Sequence, residues 1–159
     1  MMVLLGRTGS GKSTIAQSLG KALGLSVLEV DDETTRLNGG RWPEDEDVID
    51  HFFEVTNRKV LAMASVLYAT SWLPRDEIEA FYQQGFKIVE LHADFGELLR
   101  RKRRRGDAIN DEQFRENYEG YFAIVNRTDV RNMIALSIDT SNQRPEDTAK
   151  IIVAAFTTD

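Results

Sequence analysis

A glycine-rich loop near the N-terminus constrains the fold of this chain more than any other feature. Residues Gly6–Ser13 read G-R-T-G-S-G-K-S, which is a complete match to the pattern G-x-x-x-x-G-K-[ST]. The loop follows a short apolar run, Met1–Leu5, and precedes apolar residues at helical spacing that end before Gly24. A strand, a loop and a helix in this order aim backbone N–H groups at an anion beside a helix N-terminus. The pattern predicts a site for the phosphates of a nucleotide.

Each residue type in the loop has a defined part in such a site. Glycines let the backbone wrap the anion, Lys12 would bridge the β- and γ-phosphates, and Ser13 would offer its hydroxyl to Mg²⁺. The predicted donor site consists of Gly6, Thr8, Gly9, Ser10, Gly11, Lys12, Ser13 and Thr14. The alternative is a glycine-rich turn that only caps a helix. A dinucleotide fingerprint fits poorly, because the glycines fall as G-x-x-G-x-G rather than G-x-G-x-x-G.

The remainder of the chain alternates between strand and helix patterns. Further strands are predicted at Leu25–Val30, Ser65–Trp72, Phe86–Ala93 and Met133–Asp139. Helices are predicted at Val48–Ala64, from Pro74 to Gly85, at Phe95–Arg105, at Glu112–Arg127 and from Pro145 to about Phe156. This order predicts an α/β fold of three layers, with a five-stranded parallel sheet and helices on both faces. The polar segment Glu33–Asp47 is predicted to be a mobile excursion with little core of its own.

Composition restricts the class of protein. A length of 159 residues fits one domain, and a net charge of −6 argues against bulk affinity for nucleic acid or anionic membranes. The absence of cysteine excludes disulfides and thiolate metal sites. The first apolar run is too short for a signal sequence, and no segment approaches the length of a membrane span. These features predict a cytoplasmic monomer or homodimer whose partner is a small molecule, with neither a membrane nor a nucleic acid expected.

A run of basic residues follows the fourth predicted strand. Arg100–Arg105 reads R-R-K-R-R-R and holds six of the 20 lysines and arginines. Arg100 and Arg104 are four residues apart and would share a helix face, and so would Arg101 and Arg105. Arginines that close over a transferring phosphoryl group stabilise its charge, and Gly106 would let the segment move as a lid. The alternatives are a solvated helix end, where cations suit the helix dipole, and a nucleic-acid patch.

With the glycine loop and the basic run in this order, the chain resembles the small P-loop kinases, a group that includes nucleoside monophosphate kinases, shikimate kinases and gluconate kinases. Residues 87–107, K-I-V-E-L-H-A-D-F-G-E-L-L-R-R-K-R-R-R-G-D, look like the fourth strand, helix and lid of this group. Residues 116–152 are most similar to the end of cytidylate kinases, where a tyrosine-bearing helix leads to a strand that ends in a turn like Asp139–Ser141.

The resemblance implies a P-loop NTPase fold and a division of the single domain 1–159 into functional parts. The implied parts are a core at 1–30, 65–99 and 112–159, an acceptor-binding excursion at 31–64 and a lid at 100–111. It also implies ATP with Mg²⁺ as the phosphoryl donor.

Carried over by position, the resemblance assigns roles to charged residues near the loop. Gly9–Thr14 would hold the donor phosphates, and Arg100 and Arg104 would clamp the transferred group. Asp31 and Asp32 stand where shikimate and gluconate kinases place carboxylates that orient metal-bound water or an acceptor hydroxyl. The alternative role of this pair is an Asx turn or a helix cap.

Four further residues are candidates for contact with the acceptor. Arg36 and Arg41 flank a glycine pair where monophosphate kinases grip the acceptor phosphate. Trp72 would stack on a base or pack as a rim residue. Arg75 is a weaker candidate, with a surface salt bridge as its alternative.

The acceptor remains open at this stage. The third strand lacks the usual acidic residue that helps to hold Mg²⁺, so the metal would depend on Ser13, on phosphates and on Asp31 or Asp32. The leading prediction is transfer of the γ-phosphoryl group of ATP to a nucleoside or deoxynucleoside monophosphate. The alternatives are an alcohol kinase of the shikimate or gluconate type or one that acts on a hydroxymethylated base, and a P-loop NTPase switch that is not a kinase.

Overall fold

The alternating pattern folds as predicted into a parallel sheet between two layers of helices. The computed structural model describes residues 1–108 and 110–157. The strands are β1 (Met2–Leu5), β2 (Ser26–Glu29), β3 (Val66–Thr70), β4 (Lys87–His92) and β5 (Ile134–Asp139). The helices are α1 (Lys12–Leu23), α2 (Val30–Leu37), α3 (Glu46–Leu61), α4 (Arg75–Gln83), α5 (Phe95–Arg105), α6 (Asp111–Val125), α7 (Thr128–Arg131) and α8 (Pro145–Thr157).

The strand order places the glycine loop at the centre of one sheet edge. All five strands are parallel, in the order β2-β3-β1-β4-β5. Strand β1 is central, with Val3 opposite Tyr68 of β3 and Ile88 of β4. In an open parallel sheet, ligands bind outside the carboxyl ends of the strands. The segments that follow β1, β2, β3 and β5 therefore surround a common site.

The core lies on both faces of the sheet because successive strand residues point in opposite directions. Met2 and Leu4 of β1 pack with buried residues of α1 and α8. Val3 and Leu5 pack on the other face with residues of α3, α4 and α6. All four side chains are 3% exposed or less, which fits a strand that is apolar along its whole length.

The prediction of a mobile excursion at Glu33–Asp47 is wrong for its first part. Helix α2 begins directly after β2, and Glu33 is only 8% exposed. The Glu33 carboxylate accepts hydrogen bonds from Arg36 at 2.8 Å and from Lys59 of α3 at 2.6 Å. Acidic residues in the first turn also suit the helix dipole. The sequence did not reveal α2, because ion pairs rather than an apolar stripe attach it to α3.

The predicted ends of other elements need smaller corrections. Pro74 is the N-cap of α4 rather than its first helical residue, and the short helix α7 was not predicted. The basic run forms the last turns of α5, which ends where Gly106 adopts φ 78°. The predicted lid at 100–111 includes Ile109, and the predicted core includes residues 158 and 159; these three positions lie outside the described residues. Within 1–108 and 110–157, no helix is long and apolar enough to cross a membrane.

Candidate active site

The glycine loop has a backbone that only glycine adopts without strain. Gly9 and Gly11 have φ values of 93° and 94°, and Gly11 is the N-cap of α1. A Cβ atom on Gly6 would lie 2.2 Å from the carbonyl oxygen of Leu91. Side chains are strained at such positive φ values, and non-bonded atoms do not approach so closely. The three glycines that the pattern singles out are therefore required by the geometry of the loop.

A cleft of about 130 Å³ opens above this loop, and we refer to it as the phosphate cleft. The ends of β2 and β3, the start of α2 and the end of α5 complete its walls. Its lining residues are Thr8, Gly9, Gly11, Lys12, Ser13, Thr14, Glu29, Val30, Asp31, Ala69, Ser71 and Arg105. Ser10 is buried beneath the loop, and its hydroxyl oxygen has no hydrogen-bond partner among the described residues.

Lys12 is the principal cation of the phosphate cleft. Its Nζ donates a hydrogen bond of 3.4 Å to the carbonyl oxygen of Arg7. Burial lowers the pKa of Lys12 to about 8, although Asp31 acts in the opposite direction. Within the described residues its ammonium group forms no ion pair, and it stands at the positive end of α1. Phosphate anions supply the missing negative charge at such a position.

Ser13 and Glu29 form the pair of oxygen ligands that Mg²⁺ prefers. The Ser13 hydroxyl donates a hydrogen bond of 2.5 Å to Oε2 of Glu29, at the end of β2. Mg²⁺ binds through one or two such oxygens together with substrate phosphates and water. No group of three or more His, Cys, Asp or Glu side chains that could hold a metal occurs in the described part of the chain. The residues present therefore fit a metal that binds together with a nucleotide.

Glu29 was not among the residues predicted from the sequence. The available signal was an acidic residue at the carboxyl end of a strand, two positions before Asp31. The prediction named the next two carboxylates, Asp31 and Asp32, and placed Glu29 within the strand. Glu29 is identified as a site residue only by its position beside Ser13 in the folded protein.

The paired carboxylates at the start of α2 separate into two environments. Both residues are exposed, but Asp31 lines the phosphate cleft whereas Asp32 lines none of the clefts described here. The walls of the cleft remove water from Asp31 and raise its pKa, while Lys12 has the opposite effect. Consecutive helical residues are about 100° apart, so only one of the two can face the cleft. The geometry gives no support to Asp32 as a catalytic residue.

The arginines of the basic run also line different clefts. Arg105 lines the phosphate cleft. Arg100 and Arg104 instead line a larger cleft of about 480 Å³ between α5 and the segment that connects β5 to α8, which we call the α5–α8 cleft. This cleft shares Gly9, Gly11 and Arg105 with the phosphate cleft. Arg100 and Arg104, the predicted clamp, therefore lie on the α5–α8 side of the phosphate loop, whereas Arg105 lines both clefts. Their role as a clamp stays a prediction.

Arg101 ties the phosphate loop to the sheet. Its guanidinium donates hydrogen bonds to the carbonyl oxygens of Gly9 at 3.1 Å, Thr140 at 2.6 Å and Ser141 at 3.2 Å, and to the Glu97 carboxylate at 2.6 Å. Only the guanidinium group of arginine offers so many donors in one plane. Arg101 therefore has a structural role, because its hydrogen bonds connect the loop, α5 and the segment after β5.

Two connected clefts lie on the other side of the phosphate loop. The α3–α6 cleft has a volume of about 380 Å³ and is lined by Arg7, Glu46, Ile49, Asp50, Phe53, Ser71, Trp72, Gln113, Glu116, Asn117 and Gly120. The α3–α4 cleft has a volume of about 200 Å³ and is lined by Asp50, Phe53, Glu54, Asn57, Trp72, Pro74 and Glu77. Ser71 joins the α3–α6 cleft to the phosphate cleft. Trp72, a predicted acceptor contact, lies between the two acidic clefts.

The other predicted acceptor residues lie elsewhere. Arg36 is held by Glu33, and neither Arg36 nor Arg41 lines any of these clefts. Arg75 is engaged by Asp76, Glu79 and Asp129. Its ion pairs fasten α4 to α7 and leave it outside the clefts, as the salt-bridge alternative predicts.

Fold and site together define a protein with a P-loop kinase fold, whose phosphate loop lies between the α5–α8 cleft and the α3–α6 cleft. The chain belongs to the AAA domain family, which it matches over residues 1–121. No curated protein sequence matches it significantly.

Solved structures of kinases are similar to this chain in fold. Shikimate kinase from Acinetobacter baumannii, solved in complex with shikimate, has a TM-score of 0.75 and 22% identity over 99% of this chain and 94% of that chain. Shikimate kinase from Aquifex aeolicus has a TM-score of 0.76 and 19% identity, covering 98% and 95%. A gluconokinase from Sinorhizobium meliloti has a TM-score of 0.69 and 19% identity, covering 97% and 89%. They confirm the predicted fold and the shikimate and gluconate part of the resemblance; the nucleoside monophosphate part stays a prediction.

Proposed function

We propose that this protein transfers the γ-phosphoryl group of ATP to a hydroxyl group of a small molecule. The observation that carries the proposal is the placement of Asp31. This carboxylate stands in the phosphate cleft beside Lys12, and Ser71 connects the same cleft to the α3–α6 cleft. An alcohol needs a base to take its proton, whereas a phosphate acceptor is already anionic.

The residues of the site divide the work of such a transfer. Backbone N–H groups of the loop and Lys12 would bind the β- and γ-phosphates, and the α5–α8 cleft would receive the nucleoside. Mg²⁺, held by Ser13 and Glu29, would neutralise phosphate charge when bound. Asp31 would orient the acceptor hydroxyl and take its proton as the oxygen–phosphorus bond forms and ADP leaves. Arg105 would offset the charge that spreads over the transferred group.

The acceptor clefts favour an alcohol over a nucleoside monophosphate. A monophosphate carries two negative charges and is gripped by arginines, as the resemblance implied for Arg36 and Arg41. Among the described residues that line the α3–α6 and α3–α4 clefts, Arg7 is the one cation, and it belongs to the phosphate loop itself. We therefore propose residues 31–64, which contain α2 and α3, as the acceptor-binding part.

The test is ADP release from ATP and Mg²⁺ in the presence of separate acceptors, with polyols, sugar acids, shikimate-like acids, hydroxymethylated bases and nucleoside monophosphates as the panel. We expect a hydroxyl acceptor to stimulate release and to yield a phosphate ester detectable by phosphorus NMR. The substitution Asp31→Asn should lower kcat by about 10²–10⁴, the usual contribution of a general base.

Asp32→Asn is the matched control, because it removes the same charge one residue away, outside the cleft. We expect it to retain most of the activity. Best activity on a nucleoside monophosphate, or a full rate in Asp31→Asn, would contradict the proposal. ADP release that no acceptor stimulates would instead support an NTPase.

A further inference from the structure

The surface that would hold the acceptor has an unbalanced charge. Five carboxylates line the α3–α6 and α3–α4 clefts, and they belong to Glu46, Asp50, Glu54, Glu77 and Glu116. No Lys, Arg or His nitrogen lies within 4 Å of these five among residues 1–108 and 110–157, although 13 ion pairs are found elsewhere in that part of the chain. Among the described residues that line these two clefts, the one cation is Arg7, which lines the α3–α6 cleft.

The arrangement of the acidic residues is costly to the free protein. Glu46, Asp50 and Glu54 are spaced four residues apart on α3 and therefore share one helix face. Like charges at this spacing destabilise a helix by about 0.2–0.5 kcal/mol per pair. Helix stability gains from acids in the first turn, which explains Glu46 but neither Asp50 nor Glu54. Binding of a positively charged ligand to this helix face would account for its carboxylates.

One of the five carboxylates is held in place by a buried hydrogen-bond chain. The Tyr68 hydroxyl donates to Oδ1 of Asn57 at 2.5 Å, and the Asn57 amide donates to Oε2 of Glu77. Asn57 is 3% exposed and Tyr68 is fully buried. Burial and repulsion from Glu54 raise the pKa of Glu77, while the Asn57 hydrogen bond and Arg58 act in the opposite direction. The hydrogen-bond chain fixes the position of the Glu77 carboxylate, which lines the α3–α4 cleft and is partly buried.

Aromatic rings complete the same surface. Trp72 and Phe53 line both clefts, and each is partly buried against the core. Ammonium groups are attracted to the faces of such rings, and tryptophan is the best of them. Carboxylates around an aromatic wall are therefore a surface for a cation. An acid, such as the ligands of shikimate and gluconate kinases, would meet repulsion in the α3–α4 cleft, where no cation is among the described lining residues.

We infer that the acceptor is a polyol bearing an amino group, which binds as an ammonium ion between Asp50, Glu54, Glu77 and the rings of Trp72 and Phe53. This inference rests on the proposed function, because the hydroxyl that receives the phosphoryl group is the one that reaches Asp31. The amide side chains of Gln113 and Asn117 on the opposite wall are available to the remaining hydroxyls.

The inference can be tested by binding alone. Trp42 and Trp72 are the two tryptophans of the chain, and Trp42 is an exposed residue outside the clefts. In a Trp42→Phe background, fluorescence reports Trp72 specifically. D-glucosamine, D-glucose and D-gluconate are titrated at pH 6.5 with ADP and Mg²⁺ present, and their phosphorylation is measured with ATP in parallel.

We expect glucosamine to bind most tightly and gluconate least. The pair of substitutions Asp50→Asn and Glu54→Gln should reduce the preference for glucosamine over glucose by about tenfold, a typical effect of partly exposed charges on binding. The matched control, Glu112→Gln with Glu119→Gln, removes two charges from α6 outside the lining of the clefts and should retain the preference.

The two proposals fail in different ways. Phosphorylation of gluconate or glucose without preference for the amine supports the kinase function and overturns the inference. Selective binding of glucosamine without phosphorylation of any hydroxyl acceptor supports the ammonium site, but it contradicts the proposed function and overturns the assignment of the amine as the acceptor. A preference that survives the Asp50 and Glu54 substitutions, or no selectivity in either measurement, also overturns the inference.

Discussion

Lys12 is needed for nucleotide binding, but we expect it to lower the free energy of unfolding of the protein without nucleotide. Its ammonium group lies in the phosphate cleft at the N-terminus of α1, where both burial and the helix dipole disfavour a positive charge. Replacing it with methionine retains the length and most of the apolar surface of the side chain but removes the charge. We therefore expect Lys12→Met to abolish productive nucleotide binding and, in the absence of nucleotide, to raise the free energy of unfolding.

The size of the effect follows from the pKa of Lys12. The fall of this pKa from 10.5 to about 8 corresponds to about 3 kcal/mol, at 1.36 kcal/mol per pKa unit. Water that enters the open cleft reduces this value, so we expect a gain of about 1–3 kcal/mol near pH 7. The folded state releases its proton before the unfolded state does. The stability of the wild type should therefore rise between pH 8 and pH 10.5, and the advantage of Lys12→Met should disappear over that range.

The assay is urea unfolding of both proteins between pH 6.5 and 10, with and without ATP and Mg²⁺. Lys21→Met is the matched control, since Lys21 is exposed in the last turn of the same helix and suits the dipole there. It should be neutral or slightly destabilising. Nucleotide at about 1,000 times its Kd adds about 4.1 kcal/mol to the wild type and should reverse the order. Lower stability of Lys12→Met at pH 7 without nucleotide would refute the reasoning.

Three further predictions concern the loop and its surroundings. Gly6→Ala should destabilise the protein by about 1–3 kcal/mol and weaken ATP binding, because the new Cβ atom would lie 2.2 Å from the Leu91 carbonyl oxygen. Urea unfolding and nucleotide titration measure the two effects. An unchanged stability and ATP affinity would contradict the loop geometry. Glu29→Gln should raise the Mg²⁺ concentration needed for half-maximal activity while the thermal midpoint stays within a few degrees; an unaltered Mg²⁺ dependence counts against Glu29 as a ligand. Arg101→Lys should lower stability by about 1–3 kcal/mol and raise the KM for ATP, since one ammonium group cannot replace the guanidinium hydrogen bonds. A KM equal to that of the wild type would show that Arg101 does not position the phosphate loop.

The fold was predictable because its signals are local. Strands such as Val3–Leu5 are continuously apolar, and helix ends coincide with glycines at positive φ, as at Gly24 and Gly106. Helix α2 escaped prediction because its anchor, Glu33, pairs with Lys59 from a distant part of the chain. Such a pair leaves no periodic trace in the sequence.

The side chains of the site could be predicted from the sequence only in the phosphate loop, because one continuous backbone segment forms that part of the site. The phosphate loop is one continuous segment, so its pattern identified the residues that now line the phosphate cleft. Spacing allowed Arg101 with Arg105 as well as Arg100 with Arg104, and the resemblance favoured the second pair; the helix phase of α5 decides that Arg105 is the one that reaches the phosphate cleft. The same holds for Asp31 and Asp32 on α2.

The sequence by itself determined a parallel α/β sheet with a nucleotide-phosphate loop at the end of its first strand. Short-range chemistry is sufficient for this, because glycine conformations, helix ends and apolar periodicity act within a few residues. Only the tertiary structure decided which charges meet. It brings Glu29 to Ser13, holds Arg75 on α7, and gathers acidic residues of α3, α4 and α6 around Trp72. Electrostatic interactions depend on distances through space, and those distances arise only when helices far apart in sequence pack on the same sheet.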